Sequence, residues 1–182
     1  MPETRWRQPD CRSRGKKYLA LAEGDLSEAN DSVFWKEIAI PLAPDPENSM
    51  KMTISPDGLL PGSRNAVTYY KNIKSFGNVT LVELQLETGR THQIRVHMAG
   101  IGHPLLGDTM YNPRACLKMS NRKEKKNTEG RINNRNDCFK RAALHAWKLT
   151  FCHPFTDEII TLEAPLPDDF CRFLNANEEE KT

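Results

Sequence analysis

Leu81 to Tyr111 reads LVELQLETGRTHQIRVHMAGIGHPLLGDTMY, and the period of its apolar residues changes halfway along. Val79 to Leu86 alternates, putting Val82, Leu84 and Leu86 on one face. Beyond Glu87-Thr88-Gly89-Arg90, the residues Ile94, His97 or Met98, and Ile101 recur at helical spacing. A strand therefore feeds a helix through a glycine turn. Thr88 or Thr91 is expected to cap that helix, and Gly100, Gly102 and Pro104 to end it. A helix start offers unpaired N–H groups and the positive end of the dipole, so Thr88-Gly89-Arg90-Thr91 is suited to hold a phosphate. By itself the element is equally a plain structural cap.

Working outward, Lys17 to Glu23 reads as a strand closed by Gly24-Asp25, and Phe34 to Ile40 as its neighbour, stopped by Pro41. Five prolines and two glycines between Pro41 and Ser63 predict a loop with one short strand, Lys51 to Ile54. Ala66 to Ile73 returns to strand. Ala142 to Cys152 resumes ordered structure, Glu158 to Ala164 is a last strand, and Pro165-Leu166-Pro167 leads into a helix from Asp168 to Leu174. Strands and a few helices without regular βαβ alternation indicate α+β, with a largely antiparallel or mixed sheet and flanking helices.

With 182 residues, 38% hydrophobic and 27% charged, the chain suits one globular domain and excludes two full ones. No apolar run spans a bilayer, and MPETRWRQPDCRSRGKK lacks the apolar centre of a secretory signal, so an intracellular protein is expected. That start is Arg-rich but contains Glu3 and Asp10, which leaves cytoplasm, nucleus and mitochondrion undistinguished. Cysteines 11, 116, 138, 152 and 171 form no CxxC pair, and histidines 92, 97, 103, 145 and 153 form no ligand motif, so neither disulfides nor a metal is expected. The net charge of +2 is uneven: Arg114 to Arg141 holds ten Lys or Arg against three acids. The first seventeen residues hold six against two. Two basic segments on a mildly acidic body favour a polyanion, although either segment alone could simply be a solvated stretch. The expected organisation is a basic leader at 1–15, a domain at 16–174 with a basic loop insertion at 112–140, and a tail at 175–182.

TGRTHQIRVH followed by GHPLLGDTMY, with Lys16-Lys17-Tyr18-Leu19-Ala20 before it and Leu144-His145-Ala146-Trp147-Lys148-Leu149 after it, resembles the catalytic domain of RluA-like RNA pseudouridine synthases. The resemblance runs from about Lys16 to Phe170. It implies the fold of that domain, RNA as partner, no cofactor, no metal and a monomer. It also implies roles for individual residues. Arg95 would lie in the active site and pair with a catalytic aspartate. Tyr18 would stack beside the target uracil and take the C5 proton, since an aromatic on a strand offers a flat face and a phenol to one base. Leu144 and Leu149 would wall the base pocket. Arg90, Thr91, His92 and Gln93 would contact RNA, while His97 reads better as a core histidine, and Asp108 as a turn residue rather than the nucleophile.

One element of the family pattern is absent. The nucleophilic aspartate sits in an HRLD-type element a few tens of residues before the tyrosine, and seventeen residues precede Tyr18. Asp10, in Gln-Pro-Asp-Cys-Arg, has none of the surrounding pattern and is not assigned the role. The expectation is therefore of a pseudouridine synthase lacking its nucleophilic aspartate, a truncated form incomplete at the N-terminus. The alternative is a non-catalytic RNA-binding relative.

Overall fold

The computed structural model describes residues 15–26, 34–114 and 139–178. Among these residues, eight strands and two helices follow in the order β1 (Gly15–Glu23), β2 (Lys36–Ile38), β3 (Leu42–Pro44), β4 (Met52–Ile54), β5 (Thr68–Ser75), β6 (Val79–Leu86), α1 (Gln93–Gly100), β7 (Leu144–Cys152), β8 (Ile159–Glu163) and α2 (Asp168–Glu178). Six strands form one sheet in the order β2-β5-β6-β1-β7-β8, and β3 and β4 form a separate hairpin. Every pairing is antiparallel. This is the α+β architecture that the strand and helix pattern implies.

β6 occupies the residues its alternation predicts, but it does not have a solvent face. Val82 and Leu84 pack on one side with Ala20, Ala22, Tyr70, Ile94 and Met98, beneath α1. Val79 and Leu81 pack on the other with Leu21, Leu106, Phe139, Phe170 and Phe173, beneath α2. A helix on each side explains this: both faces of the central strands are buried between layers.

The proline-rich segment also departs from expectation, holding two strands rather than one. Leu42 pairs with Ile54 and Pro44 with Met52, and the hairpin packs on α1 through a cluster of Leu42, Ala66 and Val96 with Met52 and Ile54 against it. Its close approach depends on Gly100, where an added Cβ would sit 2.9 Å from Ile54 Cγ2. Pro44 is tolerated because it ends a short strand of a two-stranded hairpin. The strand expected at Phe34 to Ile40 is reduced to three residues, and α2 runs four residues past Leu174.

The helix cap differs too. Neither threonine caps α1; the residue before it is His92, in the left-handed region at φ 54°. Gln93 reaches back instead, its Oε1 accepting the Arg90 N–H at 2.9 Å. Thr88 Oγ1 is occupied elsewhere, accepting the Val67 N–H at 3.0 Å and meeting Gln93 Oε1 at 2.9 Å. At the far end the helix stops where its glycines predict, with Gly102 at φ +85°. The expected leader and most of the basic insertion lie outside the described residues, but both ends of the insertion are anchored. Asn112 Nδ2 donates to Leu105 O at 3.0 Å, and Phe139 is in the core.

Candidate active site

α1 is held against the sheet by directional bonds as well as apolar packing. Gln93 is buried and its Nε2 donates to Val67 O at 2.9 Å and Thr68 Oγ1 at 3.0 Å. His97, fully buried, bridges Thr68 Oγ1 and Ile40 O, each at 2.8 Å. Burial pushes the His97 pKa down, so the ring stays neutral. His97 is the satisfied core histidine anticipated for it. Gln93 corrects the expectation that it contacts RNA, because its whole amide is committed to the strand and turn behind it.

These anchors aim Arg95. Its Nε donates to Asp108 Oδ2 and its Nη2 to Asp108 Oδ1, each at 2.7 Å, a bidentate fork. The Asp108 side chain is fully buried while that of Arg95 keeps 20% exposure. Hydrogen bonding to Asp108 raises the Arg95 pKa beyond its already high range, so its charge is permanent. Asp108 Oδ1 additionally accepts the N–H groups of Met110 and Tyr111, at 3.0 and 3.2 Å. Its turn depends on Gly107, at φ +67°, where an added Cβ would lie 2.3 Å from Arg141 O. Asp108 is thus the buried counter-ion of Arg95, in keeping with its reading as a turn residue.

Tyr111 was not singled out by sequence, although it closes the quoted stretch. Its ring lies 4.8 Å from the Arg95 guanidinium carbon, a cation–π contact. Its hydroxyl accepts the Met52 N–H at 2.9 Å and meets His92 Nδ1 at 2.9 Å. The only available signal was its spacing, three residues after Asp108.

Tyr18 lies on β1, on the same side of the sheet as α1, packed against the cluster that contains Ile94 and Met98. Burial raises its phenol pKa, which keeps it protonated at neutral pH. It opens onto a groove of about 320 Å³ lined by Lys16, Tyr18, Ala146, Trp147, Leu149 and Leu162 among others. The register explains the company: Tyr18 pairs with Ala146, Lys16 with Leu149, and Leu149 with Leu162. A β-bulge at Lys17/Tyr18 sets that register, a device that re-aims side chains. Leu149 therefore lines the groove beside Tyr18, whereas Leu144 pairs with Ala20 and packs inward. Leu162 and Trp147 line the groove without having been anticipated, since the β7–β8 pairing was not legible. Arg90 and Thr91 are exposed, with Arg90 Nε donating to Asn65 O at 3.2 Å.

Among the described residues no group of His, Cys, Asp or Glu could hold a metal ion, and no helix is long and apolar enough to cross a membrane.

The sequence and the fold are similar to those of known proteins. The RNA pseudouridine synthase YlyB of Bacillus subtilis, which carries the description uncharacterized, is 38% identical over 159 residues, 87% of this chain and 43% of that protein. Ribosomal large subunit pseudouridine synthase D of Pasteurella multocida is 44% identical over 161 residues, 88% of this chain and 44% of that protein. The chain thus spans less than half the length of these curated relatives. Human RNA pseudouridylate synthase domain containing 1 superposes with a TM-score of 0.58 at 26% identity, over 84% of this chain and 55% of that one. The model of the RNA pseudouridylate synthase family matches residues 10–100, the stretch that carries Tyr18, the β5–β6 pair and α1 with Arg95, and the chain belongs to that family.

Proposed function

We propose that the chain provides part of the active site of an RNA pseudouridine synthase, an isomerase that converts uridine to pseudouridine within RNA. The reaction detaches uracil from C1′ of ribose, rotates it and rejoins it through C5. The target must leave the base stack to be reached, at a cost of a few kcal/mol. The observation that carries the reading is Arg95, a guanidinium fixed by a buried carboxylate on the same sheet face as Tyr18 and its groove.

In this reading the uracil enters the groove between Tyr18 and Leu149, which is apolar enough to receive a base and has Lys16 at its lining. Tyr18 offers its ring face to the base and its phenol oxygen near C5, the atom that must lose its proton. Arg95 holds the nucleophilic carboxylate by its remaining amino group, Asp108 already having filled the other edge. That carboxylate either attacks C1′ or abstracts the 2′ proton. Arg90, Thr91 and His92, before α1, contact the RNA backbone, where the Arg90 charge and the positive end of the helix dipole favour an anion. The protein works inside the cell as a monomer without metal or organic cofactor.

Tritium release from RNA labelled at uridine C5 tests this, because the new bond at C5 must expel that hydrogen. Release that Tyr18→Phe abolishes is the expected result for a complete active site. A second reading, an RNA-binding protein without catalysis, is favoured by the uneven charge, ten Lys or Arg against three acids between Arg114 and Arg141. It predicts salt-sensitive RNA binding with no release.

A further inference from the structure

Arg64 lies outside both basic segments of the sequence and outside the stretch that carries Arg95, yet the fold brings its backbone beside the start of α1. That backbone is fixed on both sides: its N–H donates to Leu42 O at 2.8 Å, and its carbonyl accepts the Leu42 N–H at 2.9 Å. The carbonyl of the next residue, Asn65, accepts Arg90 Nε at 3.2 Å. One hydrogen bond thus ties the turn before α1 to the residue that follows Arg64. Arg64, Asn65, Gly89, Arg90 and Thr91 are all exposed. The Arg64 guanidinium makes no hydrogen bond or ion pair among the described residues, and Arg90 keeps both amino groups after giving Nε to Asn65. Glu87, the acid of the same turn, is held against β5 by the Tyr69 hydroxyl, which donates to its Oε2 at 2.8 Å. Two permanent cations brought together without a salt bridge are not favoured by folding alone, and a bound polyanion relieves their repulsion.

We propose that Arg64 is a further RNA-binding residue, taking a backbone phosphate adjacent to the one at Arg90. The segment bridged to β3 and the turn before α1 then form one phosphate track leading to the site. This rests on the RNA reading of the site and adds to it a residue from a different part of the fold. A guanidinium matches two phosphate oxygens at once, so the track grips the strand firmly, and it fixes the register of the RNA without reading its bases. Because the Leu42 bonds already hold the Arg64 backbone, binding costs only side-chain freedom at this position.

The test measures the affinity of the full chain for a short single-stranded uridine-containing RNA, by fluorescence anisotropy over a range of salt concentrations. Arg64→Gln should weaken binding about fivefold at about 0.1 M salt and reduce the slope of log K against log salt by about 0.7, the loss of one phosphate contact on a single strand. Arg64→Lys keeps the charge and should keep the slope, which a merely structural role for the arginine would not require. Unchanged affinity and slope in Arg64→Gln, or a slope in Arg64→Lys as low as in Arg64→Gln, overturns the proposal. Should Arg64→Gln fail to fold, the Arg64 Nε–H resonance of the unaltered chain decides: it should shift when the RNA is added, and a resonance that stays in place overturns the proposal. Arg90→Gln separates the two possible failures. If it weakens binding and Arg64→Gln does not, the track is wrong and the RNA reading stands. If the unaltered chain binds no RNA, the RNA reading fails and the proposal with it.

Discussion

The two faces of the central sheet are covered by helices of similar kind but held in different ways. Beneath α2 the contacts are aromatic: Phe139 and Phe170 meet at 5.4 Å and 83°, Phe76 and Phe173 at 5.6 Å and 85°. Beneath α1 apolar packing is joined by buried polar groups, Gln93, His97 and Thr68, and by the Arg95–Asp108 fork. Apolar contact is nondirectional and stabilises a helix without fixing its rotation closely, whereas hydrogen bonds fail within a few tenths of an ångström. The α1 face is therefore built for orientation, and the α2 face for cohesion.

Phe170→Ala should separate these roles most strongly. Removing a fully buried ring from the α2 face should cost about 4 kcal/mol in urea unfolding, by lost transfer energy and a cavity. In the folded fraction the downfield Arg95 Nε–H resonance should be unchanged. Its loss would mean that the two faces are coupled and the comparison fails.

Asp108→Ala should cost somewhat less, about 3 kcal/mol, because it leaves the half-buried Arg95 cation without its counter-ion. Here the Nε–H resonance should vanish and RNA affinity should change, since the guanidinium is released. An unchanged resonance would show that Tyr111 alone suffices to hold Arg95.

Gln93→Met is close in volume and should cost about 2 kcal/mol by unpairing the Arg90 N–H and removing one of the two donors to Val67 O, which keeps the Glu87 N–H. Amide exchange at Arg90 and Val96 should quicken while exchange in α2 stays slow.

The smallest effect is the pH dependence carried by His97. Its folded pKa lies below the ordinary 6.5, so unfolded chains take up the proton first as pH falls. The His97 contribution should be complete above about pH 6.5 and decline below it, levelling off under the folded pKa. Urea melts at pH 7.5 and 5.5 should show a loss that His97→Gln reduces. An equal loss in that variant would assign the dependence elsewhere, His92 being the next candidate since its pKa is also lowered.

The division between what was legible and what was not follows the range of the forces involved. β6 and α1 were readable to within a residue or two, because a period of 2.0 or 3.6 is written locally. β3 was not, because its pairing with β4 is a relation between prolyl and non-prolyl segments that no period marks. The burial of the second face of β6 was not legible for a similar reason: alternation records that one face is apolar but not that α2, some ninety residues later, covers the other. In the site, the string singled out Arg95, yet Gln93 and His92 beside it look alike on paper. One is spent inside the fold and the other keeps a free ring nitrogen.

By itself, then, the sequence determined the strand-turn-helix unit, the antiparallel α+β class and the family, since each rests on residue types at short, regular separations. Tertiary structure alone decided that Asp108 neutralises Arg95, that Tyr111 joins Arg95 to His92, and that Tyr18 shares a groove with Leu149 and Leu162. The last of these depends on strand register across more than a hundred residues. The other two depend on the φ of Gly107 and the rotation of α1, which buried hydrogen bonds set only once the chain has folded.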